Sequence, residues 1–113
     1  MKFESQLLKG VAPVVVLQIL SRGEMYGYEL AETIEKRSSD ILTLGKGTLY
    51  PLLYNLEAKR LVHARLEKTK SGRKRRYYSI TGKGKEFLSA QTEQLRRLQT
   101  GLDFVFGGAL KPA

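Results

Sequence analysis

The chain has 113 residues and no cysteine, and 20 Lys or Arg against 11 Asp or Glu give it a formal net charge of +9. That length bounds it to one domain, or one domain with an appended element. Without cysteine, disulfides and thiolate metal sites are excluded, which suits a reducing cytoplasm. The longest apolar stretch, Val11 to Leu20, is interrupted by Pro13 and Gln18. It falls far short of the ~20 residues that span a bilayer, so no membrane partner is expected. Met1 to Ser5 is polar and no small-residue cleavage site follows the apolar run, so no secretory signal is read.

A first helix is predicted over residues 3–21, where Val14, Val15, Val16, Leu17, Ile19 and Leu20 are apolar nearly all round, the mark of a buried helix. Pro13 is placed in its first turn, where a missing N–H costs little, leaving residues 3–9 as a short arm or turn. Arg22-Gly23 ends the helix. A second helix is predicted from Met25 to Arg37, with Leu30, Ala31 and Ile34 on one stripe and charged residues opposite, broken by Ser38-Ser39-Asp40. A third runs from Thr48 to Lys59, with Leu49, Leu52, Leu53 and Leu56 on one face. Thr48 as its cap puts Pro51 at the third helical position, where no N–H is needed. A start at Lys46 makes Pro51 remove a ladder bond, and the sequence leaves both open.

Next come two alternating runs, Leu61-Val62-His63-Ala64-Arg65-Leu66 and Tyr77-Tyr78-Ser79-Ile80, joined across Ser71-Gly72. Six of the nine residues from Lys68 to Arg76 are cationic. From Arg65 to Arg76, seven basic residues face one acid, Glu67, so this segment alone carries +6 of the +9. A local surplus of this kind favours a site over a generally basic surface. Helices followed by a basic hairpin make a winged helix-turn-helix, and cations at the tip of the wing would neutralise phosphates along nucleic acid. Thr81 caps a last helix, from about Gly82 to Phe106, which Gly107-Gly108 stops before a frayed tail, Lys111-Pro112-Ala113. Its heptad seam, Leu88, Gln91, Leu95, Leu98, Leu102 and Val105, points to a helix–helix interface, with packing back on its own domain as the other reading.

The expected fold is therefore mainly α with a small β-hairpin: a winged helix over residues 1–81 and a dimerisation helix with its tail over 82–113. Several ordered motifs support this: Leu8-Lys9-Gly10, Met25-Tyr26-Gly27-Tyr28-Glu29, Gly47-Thr48-Leu49-Tyr50-Pro51-Leu52-Leu53, Leu56-Glu57, and Arg76-Tyr77-Tyr78-Ser79-Ile80-Thr81-Gly82-Lys83-Gly84. Together they resemble the PadR family of transcriptional regulators, in its smaller subfamily with a single C-terminal helix. The resemblance implies a cytoplasmic homodimer, usually a repressor, on an inverted-repeat operator in double-stranded DNA. It also implies an effector cavity between the C-terminal helices in some members. Drug-binding members rely on an aromatic in that helix; here the seam holds Leu95 and the chain has no tryptophan. Two outcomes are expected: no small-molecule response, or a compact apolar or aromatic effector near Leu95, Leu98, Leu102 and parts of the first helix.

The third helix should read base edges with its N-terminal, outward residues, which selects Lys46, Thr48, Tyr50 and Tyr54. The wing should supply phosphate contacts from Lys70, Arg73, Lys74 and Arg75; Arg75 and Arg76 alternate along the strand, so one of them faces DNA. Leu88, Leu95, Leu98, Leu102 and Val105 are the expected dimer contacts. No cofactor or metal is expected. His63 is the lone histidine, no triad or metal set completes around it, and Gly45-Lys46-Gly47-Thr48 lacks the spacing of a P-loop, so an enzyme is not expected. The competing function is a winged-helix module that binds nucleic acid without sequence preference or serves as a protein scaffold.

Overall fold

Residues 5–110 are described by the computed structural model; residues 3 and 4 of the expected arm and the expected tail at 111–113 lie outside them. The order is α1 (Ser5–Leu20), β1 (Met25–Tyr26), α2 (Gly27–Arg37), α3 (Lys46–Ala58), β2 (Val62–Lys68), β3 (Lys74–Ile80) and α4 (Gly82–Phe106). The strands form one antiparallel sheet in the order β1-β3-β2. The winged helix is thus present with one more strand than the sequence suggested. Met25 and Tyr26, read as the start of the second helix, instead pair with Tyr78 and Tyr77 of β3. Two residues are too few to show a strand period, and their partner lies some fifty positions away.

The core gathers Val16, Leu17 and Leu20 of α1, Leu30 and Ile34 of α2, and Leu49 and Leu53 of α3, all fully buried, with Tyr78 and Leu88 closing its edges. Each such aliphatic side chain contributes about 1.5–3 kcal/mol through burial. Pro13 is not in a first turn. It sits mid-helix in α1, half-buried, and forfeits the bond to the carbonyl of Lys9, a residue on the exposed side. Packing of the next turn, Val16 to Leu20, outweighs that loss. Pro51 is likewise internal, because α3 starts at Lys46 with Gly45 as its cap. The amides of Thr48 and Leu49 both donate to the Gly45 carbonyl, so Thr48 is a helical residue and not the cap.

Ser38 accepts a hydrogen bond from the Leu42 amide at 2.9 Å. Ser39 and Asp40 adopt left-handed φ values of 53° and 65°, which turns the chain from α2 toward α3. Thr81 caps α4 as expected. Its hydroxyl accepts from the Gly84 amide at 2.9 Å and donates to the Arg60 carbonyl at 2.7 Å. Gly84 lies so close to the Leu61 carbonyl that a Cβ there would collide with it, which seats the first turn of α4 against the start of β2. Gly107, at φ 59°, ends the helix. The last buried residue on α4 is Leu88. From Ser89 to Phe106 the helix runs on for about 27 Å, carrying Leu95, Leu98, Leu102, Val105 and Phe106 with their side chains exposed.

Candidate nucleic-acid interface

Residues α2 and α3 form the helix-turn-helix, and the β2–β3 hairpin forms the wing beside it. The buried face of α3 holds Leu49, Leu53 and Leu56; its opposite face presents Tyr50, 45% exposed, and Tyr54, 75% exposed. Lys46 is exposed at the first helical position and Thr48 is half-buried. Tyr50 is a more constrained residue than Tyr54. Its ring lies over Gly27 at the start of α2, where an added Cβ would come within 2.8 Å of the ring and its hydroxyl. The missing side chain at Gly27 therefore lets the two helices meet at this point.

The wing turns through Thr69–Arg73. The Thr69 amide donates to the Arg73 carbonyl at 2.7 Å and the Gly72 amide to the Thr69 carbonyl at 3.0 Å. Gly72 takes φ 84°, a conformation that favours glycine. Lys68 and Lys74 then face each other as the first strand pair below the turn.

Strand alternation sorts the cations as the sequence implies, and the fold adds their partners. Tyr78 and Ile80 point into the domain, and Arg76 lies on that same face. Arg76 donates to both carboxylate oxygens of Glu57 on α3 at 2.7 Å. That pairing holds the guanidinium above its ordinary pKa and ties the wing to the helix. Burial pushes the neighbouring Tyr78 hydroxyl upward as well. On the outer face, Arg65 forks onto Glu24, with Nε to Oε2 at 2.8 Å and Nη2 to Oε1 at 2.6 Å, and reaches Glu67 at 3.0 Å. The hydrogen bonds from Arg65 hold the Glu24 carboxyl below its ordinary value.

Two of the seven wing cations are thus committed to carboxylates. Among the described residues, Lys68, Lys70, Arg73, Lys74 and Arg75 have no such partner. All five are exposed, on the turn or on the strand ends next to it. The sequence-selected cations Lys70, Arg73, Lys74 and Arg75 are all in this uncompensated group. Among the described residues no cluster of His, Asp or Glu could hold a metal, and no helix is long and apolar enough to cross a membrane.

On α4 the expected seam divides. Leu88 is only 9% exposed and belongs to the core of its own domain, whereas Leu95, Leu98, Leu102 and Val105 are uncovered. Two side chains outside the expected site, Tyr26 and Glu57, contact wing cations: Arg75 lies over the Tyr26 ring and Arg76 pairs with Glu57. Their partners, Arg75 and Arg76, come from the wing, and only the fold brings them together.

Comparison with known proteins agrees with this architecture. A PadR-like transcriptional regulator from Bacillus cereus superposes with a TM-score of 0.75 at 34% identity, covering 89% of this chain and 96% of that one. A PadR family regulator from Clostridium difficile superposes with a TM-score of 0.72 at 26% identity, over 85% and 98% of the two chains. The Escherichia coli transcriptional regulator YqjI is 32% identical over 90 residues, which is 80% of this chain but 42% of YqjI. The family is one of transcriptional regulators and not of enzymes. Its sequence pattern spans residues 16–90, from the buried half of α1 through helix-turn-helix and wing to the first turns of α4, and the chain belongs to the Transcriptional regulator PadR-like family.

Proposed function

We propose that this protein is a cytoplasmic homodimeric repressor that binds an inverted-repeat operator, with α3 in the major groove and the wing on the flanking phosphates. The observation that carries the reading is the set of five uncompensated cations on the wing, whose strand β3 is tied to the last turn of α3 through Arg76 and Glu57. Lys70, Arg73, Lys74 and Arg75 take phosphate oxygens; Lys46, Thr48, Tyr50 and Tyr54 approach base edges and the adjoining backbone. In this reading residues 1–81 are the DNA-binding unit and residues 82–113 supply dimerisation. The subunits meet along Leu95, Leu98, Leu102 and Val105, while Leu88 anchors the helix to its own domain.

An apolar stripe of this length on a helix that projects beyond its core supports a second copy as its cover. Any effector acts at that interface, as a compact apolar ligand lined by Leu95, Leu98 and Leu102. It relieves repression only by preferring one spacing of the two DNA-binding units over another.

The test is binding to the DNA flanking the coding region, compared with random duplex at the same salt. A specific regulator prefers its own site by about 10³ or more. Equal affinity for both would support the nonspecific module instead.

A further inference from the structure

We propose that Tyr26 is a positioning residue for nucleic-acid binding, its ring holding the Arg75 guanidinium in place to meet a backbone phosphate. The proposal rests on the DNA-binding reading above and adds to it a residue that touches no nucleic acid. Arg75 and Glu67 are register partners across β2 and β3, so their side chains share the outer face of the sheet. Opposite charges so placed ordinarily attract one another. Here they do not pair. Glu67 is taken by Arg65 at 3.0 Å, and Arg65 is itself fixed by its fork onto Glu24. Arg75 leans the other way, across β3 to β1, with its guanidinium carbon 4.3 Å above the centre of the Tyr26 ring.

The rest of the face completes the row. Arg65 lies 4.8 Å over the ring of Tyr77. Tyr77 and Tyr26 meet edge to face, with centroids 5.5 Å apart and planes at 66°. The sequence along the face is therefore carboxylate, Arg65, Tyr77, Tyr26, Arg75: one guanidinium neutralised at one end and one left uncompensated at the other. A guanidinium stacked on a ring uses its face for the contact and keeps its donors, which lie in its plane, for an acceptor.

Tyr26 suits this role for a second reason. It is the N-cap residue of α2 but makes no capping hydrogen bond with its side chain, so its ring is committed only to the sheet face. The next residue, Gly27, is the one on which Tyr50 of α3 rests. The stack thus fixes Arg75 relative to the helix-turn-helix and not merely relative to the wing. Phosphates that the helices position along the duplex then meet a cation whose rotamer freedom is already restricted.

The experiment is a double-mutant cycle read by the affinity of the full chain for a short duplex of mixed sequence at low salt. Arg75→Ala should weaken binding. Tyr26→Leu, and Tyr26→Met as a second ring-less variant that keeps apolar bulk against Tyr77, should each lower affinity by about threefold to tenfold. Tyr26→Phe should bind as wild type, because the ring and not the hydroxyl acts. In the Arg75→Ala background the ring-less substitutions should cost nothing further. A loss that persists undiminished in that background would overturn the proposal, as would Tyr26→Phe binding as weakly as Tyr26→Leu. A wild-type chain that ignores the duplex, or Arg75→Ala binding as well as wild type, would instead defeat the reading of the wing itself, and the proposal with it.

Discussion

Leu95→Glu combined with Leu98→Glu is expected to give a folded monomer that has lost most of its affinity for the operator. In the isolated chain these side chains are 40% and 55% exposed, and surface substitutions away from special features usually change stability by about 0.5 kcal/mol or less. Thermal unfolding of the variant as a monomer should therefore stay cooperative. In a dimer the same positions are covered, and charged side chains buried without partners are strongly disfavoured. Losing the second subunit also removes the gain from two linked DNA contacts, so operator affinity should fall by about a hundredfold or more. Sedimentation equilibrium gives the stoichiometry and a titration gives the affinity. An unchanged dimer would place the interface elsewhere.

The second large effect belongs to the wing. Changing Lys70, Arg73 and Lys74 together to alanine removes three exposed cations that have no carboxylate partner. If each contacts one phosphate, a dimer loses six contacts, and the slope of log affinity against log salt becomes shallower by about five units. The loss should be nearly uniform across duplex sequences, because phosphates carry no base identity. Arg65→Ala and Arg76→Ala should leave a much smaller mark on that slope. Their guanidinium groups are held by Glu24 and Glu67 in one case and by Glu57 in the other. Substitution at Lys46 or Thr48 should instead alter preference at particular bases. Full affinity of the triple variant at ~150 mM salt would remove the wing from the interface.

These outcomes separate what the chain declares locally from what its fold decides. The wing is legible because its signal is local: charge, a Ser-Gly turn and two alternating runs lie within twenty residues. Thr81 as a cap and Gly107 as a stop are legible for the same reason. Pro13 misled because proline is best tolerated at the start of a helix, yet the buried surface of Val16, Leu17 and Leu20 holds α1 together through it. Thr48 and Lys46 stay open as helix starts in the sequence because Thr48 is a good cap; the fold settles it, with Gly45 supplying the first carbonyl and Lys46 and Gly47 inside the helix. The long-range commitments of Arg65 and Arg76 are not legible in the sequence. Glu67 lies two positions from Arg65, but Glu24, onto which Arg65 forks, is 41 positions away, and Glu57 is 19 from Arg76. Counting seven cations in the wing therefore overstates the charge free to meet DNA.

A dimer on an inverted repeat would place two α3 helices and two wings on one operator. Hydroxyl-radical footprinting of the DNA flanking the coding region tests it most directly. Two symmetric patches of protection are expected, their centres separated by about 34 Å or a multiple of it along the duplex, each flanked by weaker protection that disappears when Lys70, Arg73 and Lys74 are changed to alanine. A single unpaired patch, or flanking protection that survives loss of the three wing cations, would contradict this arrangement.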